Sequence, residues 1–326
     1  MYVRFLFGIL ITRARGPLII YTELHCHSYY SFLDGVSPPE MLVARALELG
    51  MSRLALTDHS GVYGLPRMAS VAEEQGLHPI YGAELTLLDG AHIVLLARDL
   101  TGYRSLCRCI NAAHRDRDKN DPRLVFKDLA ANAHGLIALS ACENGQLHRA
   151  LMAAGEDAAL EVAGRYRDLF GPDGYYIELH NHLRLEDSRR NTLLRRVAER
   201  ASLPVVASNN VHYATPNRSL LHHVVTCIRH QTTIDTAGTL LRPNDEYYLK
   251  SPAAMAALFA EVPEAVANTQ AVSEQCTFHV RDLRYKFPDP DLPPGLTSTL
   301  VLREAAFRVL GTVSYSHLTL PTILLV

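Results

Sequence analysis

Glu23-Leu24-His25-Cys26-His27, followed shortly by Asp34, puts two imidazoles two residues apart at the end of a strand-like run. Side chains alternate across a strand, so His25 and His27 share one face and Cys26 points the other way, into packing. Other short apolar runs end the same way, at Asp58-His59, Glu84, Cys142, the His180/His182 pair and the Asn210/His212 pair. Imidazole, carboxylate and thiolate together can hold two or three divalent ions. Such clusters hydrolyse phosphoesters: one ion activates a water and another neutralises the leaving oxygen. Glu84 or Asp34 would bridge ions, with His25, His27, His59 and His212 as terminal ligands. Zinc or manganese suits this N/O/S set better than magnesium, which prefers oxygen and water.

Each residue also has a plainer explanation. Asp34, in Phe32-Leu33-Asp34-Gly35, could be a turn aspartate, His92 a strand-face histidine and Cys142 a small core residue. Asp58 could orient a neighbour instead of binding an ion. Which of His180 and His182 faces the site is open. The Arg115–Asp121 run carries charges that nearly cancel, which suits a solvated loop better than a DNA groove. Asp289-Pro290-Asp291 only imitates a polymerase carboxylate pair, because no strand among those prolines could aim both side chains at a metal.

The elements that must position these residues alternate. Strands are predicted near 18–25, 53–57, 78–88, 92–97, 135–140, 175–179 and 204–207, and helices between most of them. Ser37-Pro38-Pro39-Glu40 reads as a capping box opening a helix. Asp89-Gly90 reads as a hairpin, whose antiparallel return would bring His92 back toward Glu84. Seven strands with the polar residues at their ends predict a closed β/α barrel of distorted TIM type, with its site at the strand-end rim. An open doubly wound sheet is the alternative. No GxGxxG or P-loop motif occurs, so nucleotide binding by those routes is unsupported. Helices follow around 217–231, from Ser251-Pro252, and from Pro263 to about Cys276.

The chain has 326 residues, 48% of them hydrophobic and 20% charged, as a packed core requires. A formal charge of −2 gives no global attraction to nucleic acid, so DNA contacts must be local. Six scattered cysteines without a CxxC pair argue against a zinc ribbon or a disulfide framework and fit a reducing cytoplasm. The apolar stretch Phe5–Thr12 is too short to span a bilayer. Residues 1–17 read as an extension, 18–280 as the main domain, 281–311 as a proline-rich linker, and 312–326 as a non-native tail.

Taken in order, Glu-Leu-His-Cys-His-Ser-Tyr-Tyr-Ser-Phe-Leu-Asp-Gly at 23–35, Leu-Ala-Leu-Thr-Asp-His at 54–59, Tyr-Gly-Ala-Glu at 81–84, His-Ile-Val-Leu-Leu-Ala-Arg at 92–98 and Ala-Ser-Asn-Asn-Val-His-Tyr at 207–213 resemble the polymerase-and-histidinol-phosphatase (PHP) family. The wording is most similar to the PHP domain at the N-terminus of the error-prone, DnaE-type alpha subunits of bacterial DNA polymerase III. The resemblance covers about 21–311 and implies a seven-stranded barrel with a multinuclear site. It implies the ligand set His25, His27, Asp34, His59, Glu84, His92, Cys142, His182, Asn210 and His212. The family usually has Asp where this chain has Asn210, a weaker neutral ligand. It further implies DNA, the polymerase core domains, and other translesion or replication proteins as partners, and no membrane. The palm carboxylates that perform nucleotidyl transfer lie beyond this region, so the expectation is a truncated polymerase subunit whose barrel is a 3′–5′ exonuclease. The rival expectations are a free-standing histidinol-phosphatase-like enzyme and an inert scaffold.

Overall fold

The computed structural model describes residues 19–118, 120–284, 292 and 294–310. The expected extension 1–17 and tail 312–326 lie outside them, as does most of the proline run. Two compact units divide at Leu283/Arg284. In the second, Ser298–Leu310 is helical, inside the stretch read from sequence as linker.

The first unit holds a single sheet with strands in chain order: β1 Arg53–Leu56, β2 His78–Thr86, β3 His92–Ala97, β4 Leu136–Leu139, β5 Tyr175–Leu179 and β6 Val205–Ala207. Pairing is parallel except where β3 runs against both β2 and β4. Helix α1 Pro39–Glu48 precedes β1, and α2 Leu65–Gln75, α3 Leu100–His114, α4 Phe126–Ala131, α5 Gln146–Ala154, α6 Glu156–Phe170 and α7 Asp187–Ala201 fall between strands. After β6 come α8 Ser219–Arg229, α9 Ile234–Ala237, α10 Pro252–Leu258 and α11 Pro263–Gln275. No helix among the described residues is long and apolar enough to cross a membrane.

Among the described residues six strands form where seven were expected. The 18–25 strand is reduced to isolated bridges, Glu23 to Leu54 and Cys26 to Val211. The cause is competition for its backbone donors. Thr22 N–H goes to Thr269 Oγ1, His25 N–H to Glu23 Oε1 and Cys26 N–H to Thr57 Oγ1, so no continuous ladder can form. The segment still reaches both neighbours. Ala55 N–H donates to Glu23 O at 2.9 Å and Thr57 N–H to Cys26 O at 2.8 Å. On the other side, His27 N–H donates to Val211 O and Val211 N–H to His25 O, both at 2.8 Å. The capping box also fails: Ser37 Oγ accepts from Ala214 N–H at 2.9 Å, which leaves Pro38 to begin α1 without a side-chain cap. Ser251 does cap α10, through Ala254 N–H.

Period-two alternation explains where the site lies. One buried cluster takes Leu24, Ala55 of β1, Ile80 of β2, Val94 and Leu96 of β3, Ile137 and Leu139 of β4, Tyr176 of β5 and Val206 of β6, closed by Val272 and Cys276 near the end of α11. Counting by twos along each strand from this face leads to His59, Glu84, His92, Glu178 then His180, and Ser208, Asn210 then His212. Because β3 is antiparallel, its first residue His92 reaches the same end as the last residues of β1 and β2. The turn with Gly90 at φ +79° makes that return. The opposite face, with Cys26, Leu54 and Tyr81, packs against the helices.

Candidate metal centre

Glu84 is the hub. It is 1% exposed, and its carboxylate meets His25 Nε2 at 2.6 Å, His59 Nδ1 at 3.3 Å, His27 Nε2 at 3.8 Å, and His92 Nδ1 in a closer ion pair. Cys142 Sγ lies 4.0 Å from His92 Nδ1. Asp34 is the second carboxylate, 2.7 Å from His59 Nε2 and 3.3 Å from His212 Nδ1. Gly35 lets the 28–35 loop close beneath it, because a Cβ there would stand 2.0 Å from Ser28 O. Leu33, Ala141 and Asn210, each at or beside an expected ligand, hold left-handed backbone that costs a non-glycine residue energy.

In the metal-free chain the buried carboxylates favour protons on the imidazoles beside them. Burial alone would strip His25 of its proton, but Glu178 and Glu84 outweigh it and push His25 up to about 10. His59 rises to about 10 in the same way, with Glu84 and Asp34 against burial, and so does His92, beside Glu84 and Cys142. The carboxylates show the other side of these pairs. Burial would raise Glu84, but His92 and His59 hold it well below the usual range, and Asp34 is held down by His212 and its other imidazole neighbours. Burial keeps His27 neutral, well below an ordinary imidazole, and lowers His212 to about 3 despite Asp34.

His27 is held in one tautomer. Asp58 accepts from Ser28 N–H at 2.7 Å and from the Ser31 hydroxyl at 2.8 Å. With its own proton committed, Ser31 Oγ can only accept from His27 Nδ1–H, at 3.1 Å. Nε2 of His27 is therefore a bare lone pair, buried without a hydrogen bond and facing Glu84. Asp58 thus orients a neighbour, the role weighed for it from sequence. Ser31→Ala is expected to weaken metal binding about 10–100-fold with little change in melting temperature. Competition against a chelator of known affinity measures it, and unchanged affinity would remove the relay from the argument.

Of the expected ligands, the structure brings His25, His27, Asp34, His59, Glu84, His92, Cys142 and His212 together. His182 lines the same cavity, but its Nε2 is bonded to Asn209 O at 2.9 Å and its ring stacks on Tyr247. His180 instead joins His25 and Glu178: its Nε2 is 3.0 Å from Glu178 Oε1. Asn210 is 4% exposed, and its Oδ1 has no hydrogen-bond donor. Sequence reasoning missed Glu178, His222 and Arg242. Glu178 had a signal: it is the one charge in Tyr175–Leu179, a strand buried throughout, where an unpartnered carboxylate would be untenable. Arg242 donates to His212 Nε2 at 2.7 Å and lies over the Tyr247 ring at 4.0 Å.

The donor set fits divalent ions. Four triads, each with one donor atom per residue within 4.8 Å, occur among the described residues: His25/Glu178/His180, His25/His27/Glu84, Glu84/His92/Cys142 and Asp34/His212/His222. Buried acceptors without hydrogen bonds, namely His27 Nε2, Glu178 Oε2 and Asn210 Oδ1, are atoms that a cation would satisfy. From this centre opens a groove of about 1400 Å³. It shares Asp34, His59, His92, Arg242 and Tyr247 with the cavity and adds Tyr29, Phe32, Tyr63, Arg123, Arg184 and Arg229.

The PHP domain family model matches residues 23–182. An error-prone DNA polymerase of Cutibacterium acnes is 40% identical over 306 residues, 90% of this chain and 27% of the relative. Those of Mycobacterium tuberculosis (strain ATCC 25618 / H37Rv) and Symbiobacterium thermophilum are each 38% identical, over 89% and 88% of this chain and 27% and 28% of their own lengths. The chain therefore spans little more than a quarter of these relatives. Among solved structures, an amidohydrolase from Chromobacterium violaceum, with bound sulfate and no metal, overlaps at a TM-score of 0.42 and 18% identity, covering 59% of this chain and 87% of that one.

Proposed function

We propose that this chain, which carries a PHP domain homologous to part of the error-prone DNA polymerases, is a metal-dependent phosphoesterase acting on the 3′ ends of DNA. In this reading residues 18–280 are the PHP domain of such a polymerase, and 281–311 lead toward a polymerase core that performs synthesis across lesions. Residues 23–27 serve as the seventh strand that closes the barrel. Six free cysteines support a reducing cytoplasm as its setting.

The observation that carries the reading is Glu84, one buried carboxylate facing four imidazoles. His25, His27, Asp34, His59, Glu84, His92, Cys142, His182, Asn210 and His212 would hold two or three zinc or manganese ions, with Glu178 and His180 beside His25. Ions so held would supply an activated water and charge neutralisation for the leaving oxygen. The chain's own residues do the rest. Ser31 fixes the His27 tautomer, Glu84 and Asp34 set the negative charge that retains cations, and Arg242 offers a guanidinium to a phosphate entering from the groove.

The groove supports a nucleic-acid end over a small phosphomonoester. Phe32 and Tyr63 are 82% and 64% exposed, and four arginines share the groove with them. Exposed rings beside cations suit stacked bases and their backbone. The test uses 3′-labelled single-stranded DNA and a small aryl phosphate, with zinc or manganese. Wild type is expected to shorten DNA, and His25→Ala/His27→Ala to be inactive with reduced metal content. Phe32→Ala/Tyr63→Ala should raise KM for DNA by about 1–3 kcal/mol per lost stack and leave the aryl phosphate unaffected. Equal metal in wild type and the double histidine variant would end the reading. An inert scaffold is favoured by one observation, the close pairing of buried Glu84 with His25, His59 and His92, which lets imidazolium protons compensate the carboxylate in place of cations. A melting temperature unaffected by chelator would support it.

A further inference from the structure

We infer that His222 of α8 is a metal ligand, holding a divalent ion with Asp34 and His212 on the α8 side of the centre. The inference rests on the metal-dependent reading above and adds a ligand that neither spacing nor resemblance assigned.

His222 is 3% exposed, and neither of its ring nitrogens makes a hydrogen bond. Three other histidines do spend a nitrogen on a carbonyl: half-buried His78 on Cys276 O, half-buried His114 on Ser60 O and buried His182 on Asn209 O. A buried imidazole without a hydrogen bond forfeits its hydration with little return, and a cation would supply the missing partner. Its Nε2 lies 3.5 Å from Asp34 Oδ1, the oxygen that also stands 3.3 Å from His212 Nδ1. Those separations are too long for hydrogen bonds of ordinary strength, but they suit donors grouped around an ion about 2.0–2.2 Å from each. The ring is held in place by packing: His212 and Tyr213 meet it edge-on at centroid distances of 5.4 and 5.8 Å.

The protons balance. A cation takes the Nε2 lone pair of His222 and Nδ1 of His212. A neutral His212 ring bound through Nδ1 carries its proton at Nε2, where it now accepts from Arg242. Loading this position therefore breaks the Arg242–His212 hydrogen bond and frees the guanidinium toward the groove.

The experiment compares zinc content and cobalt(II) spectra of the full chain as wild type, His222→Ala, His222→Cys and His223→Ala, after dialysis against a zinc buffer. His222→Ala should lose about one ion per chain and His223→Ala none. His222→Cys should keep that ion and, loaded with cobalt(II), add thiolate-to-metal charge-transfer absorption above the wild-type level. If His222→Ala retains the wild-type content and affinity, or His222→Cys adds no such absorption, the inference is overturned while the centre itself stands. The cysteine variant decides alone if the alanine variant does not fold. Wild type without any bound metal would overturn the parent reading and this inference with it.

Discussion

Glu84→Gln should be the most damaging conservative substitution in the chain. The amide keeps the shape of the side chain and removes the charge that His25, His59 and His92 share. In the metal-free protein this leaves protonated imidazoles buried with less compensation, at a cost of about 3–5 kcal/mol at neutral pH. With metal present, the variant loses the donor common to two of the four triads. Hydrolysis should then fall beyond the about 10–100-fold that loss of an outer hydrogen-bond partner costs. Urea titration in chelator reads the first effect and elemental analysis the second. A stability loss below about 1 kcal/mol, the range of an exposed pair, would mean that Glu84 is not the hub.

The second large effect is a reversal of pH dependence on metal loading. In the metal-free chain, His25, His59 and His92 titrate near 10 instead of 6.5. Their stabilising contribution is complete below pH 6.5 and is lost as pH climbs toward 10. Glu84 and Asp34 are held below their usual values, so their contribution is complete above about 4.5 and is lost as pH falls. These are the same ion pairs viewed from both partners, so the two contributions do not add. The urea midpoint should therefore peak between about pH 5 and 6.5 and decline on either side. Metal must displace the imidazole protons, so uptake should release protons at neutral pH, and affinity should rise with pH. Calorimetry in buffers of different ionisation enthalpy tests this, and heats of zinc uptake that are identical across buffers would contradict it.

What could be read in advance follows from range of interaction. Continuous apolar runs marked β1 through β6, and the Asp89-Gly90 turn foretold that His92 returns to Glu84, because those signals are local. The first strand did not form as one because Thr57 and Thr269, remote in sequence, take donors that a ladder would use. Likewise Ser37 looked like a cap, but Ala214 claims its hydroxyl. His222 had no readable signal: on an amphipathic helix beside His223 it looks like any polar residue, and only the packing of α8 buries it next to Asp34. Glu178 was legible in principle, as a charge with no polar face available to it.

The segment that carries His25 and His27 is joined to its neighbours by single bridges on either side. It is a seam, and a seam opens before the fabric on each side of it. Amide exchange should be faster at residues 23–27 than in β2 or β3, and bound ions would act as stitches, slowing it. Filling of the metal centre and tightening of this sparsely bridged segment would then be one event.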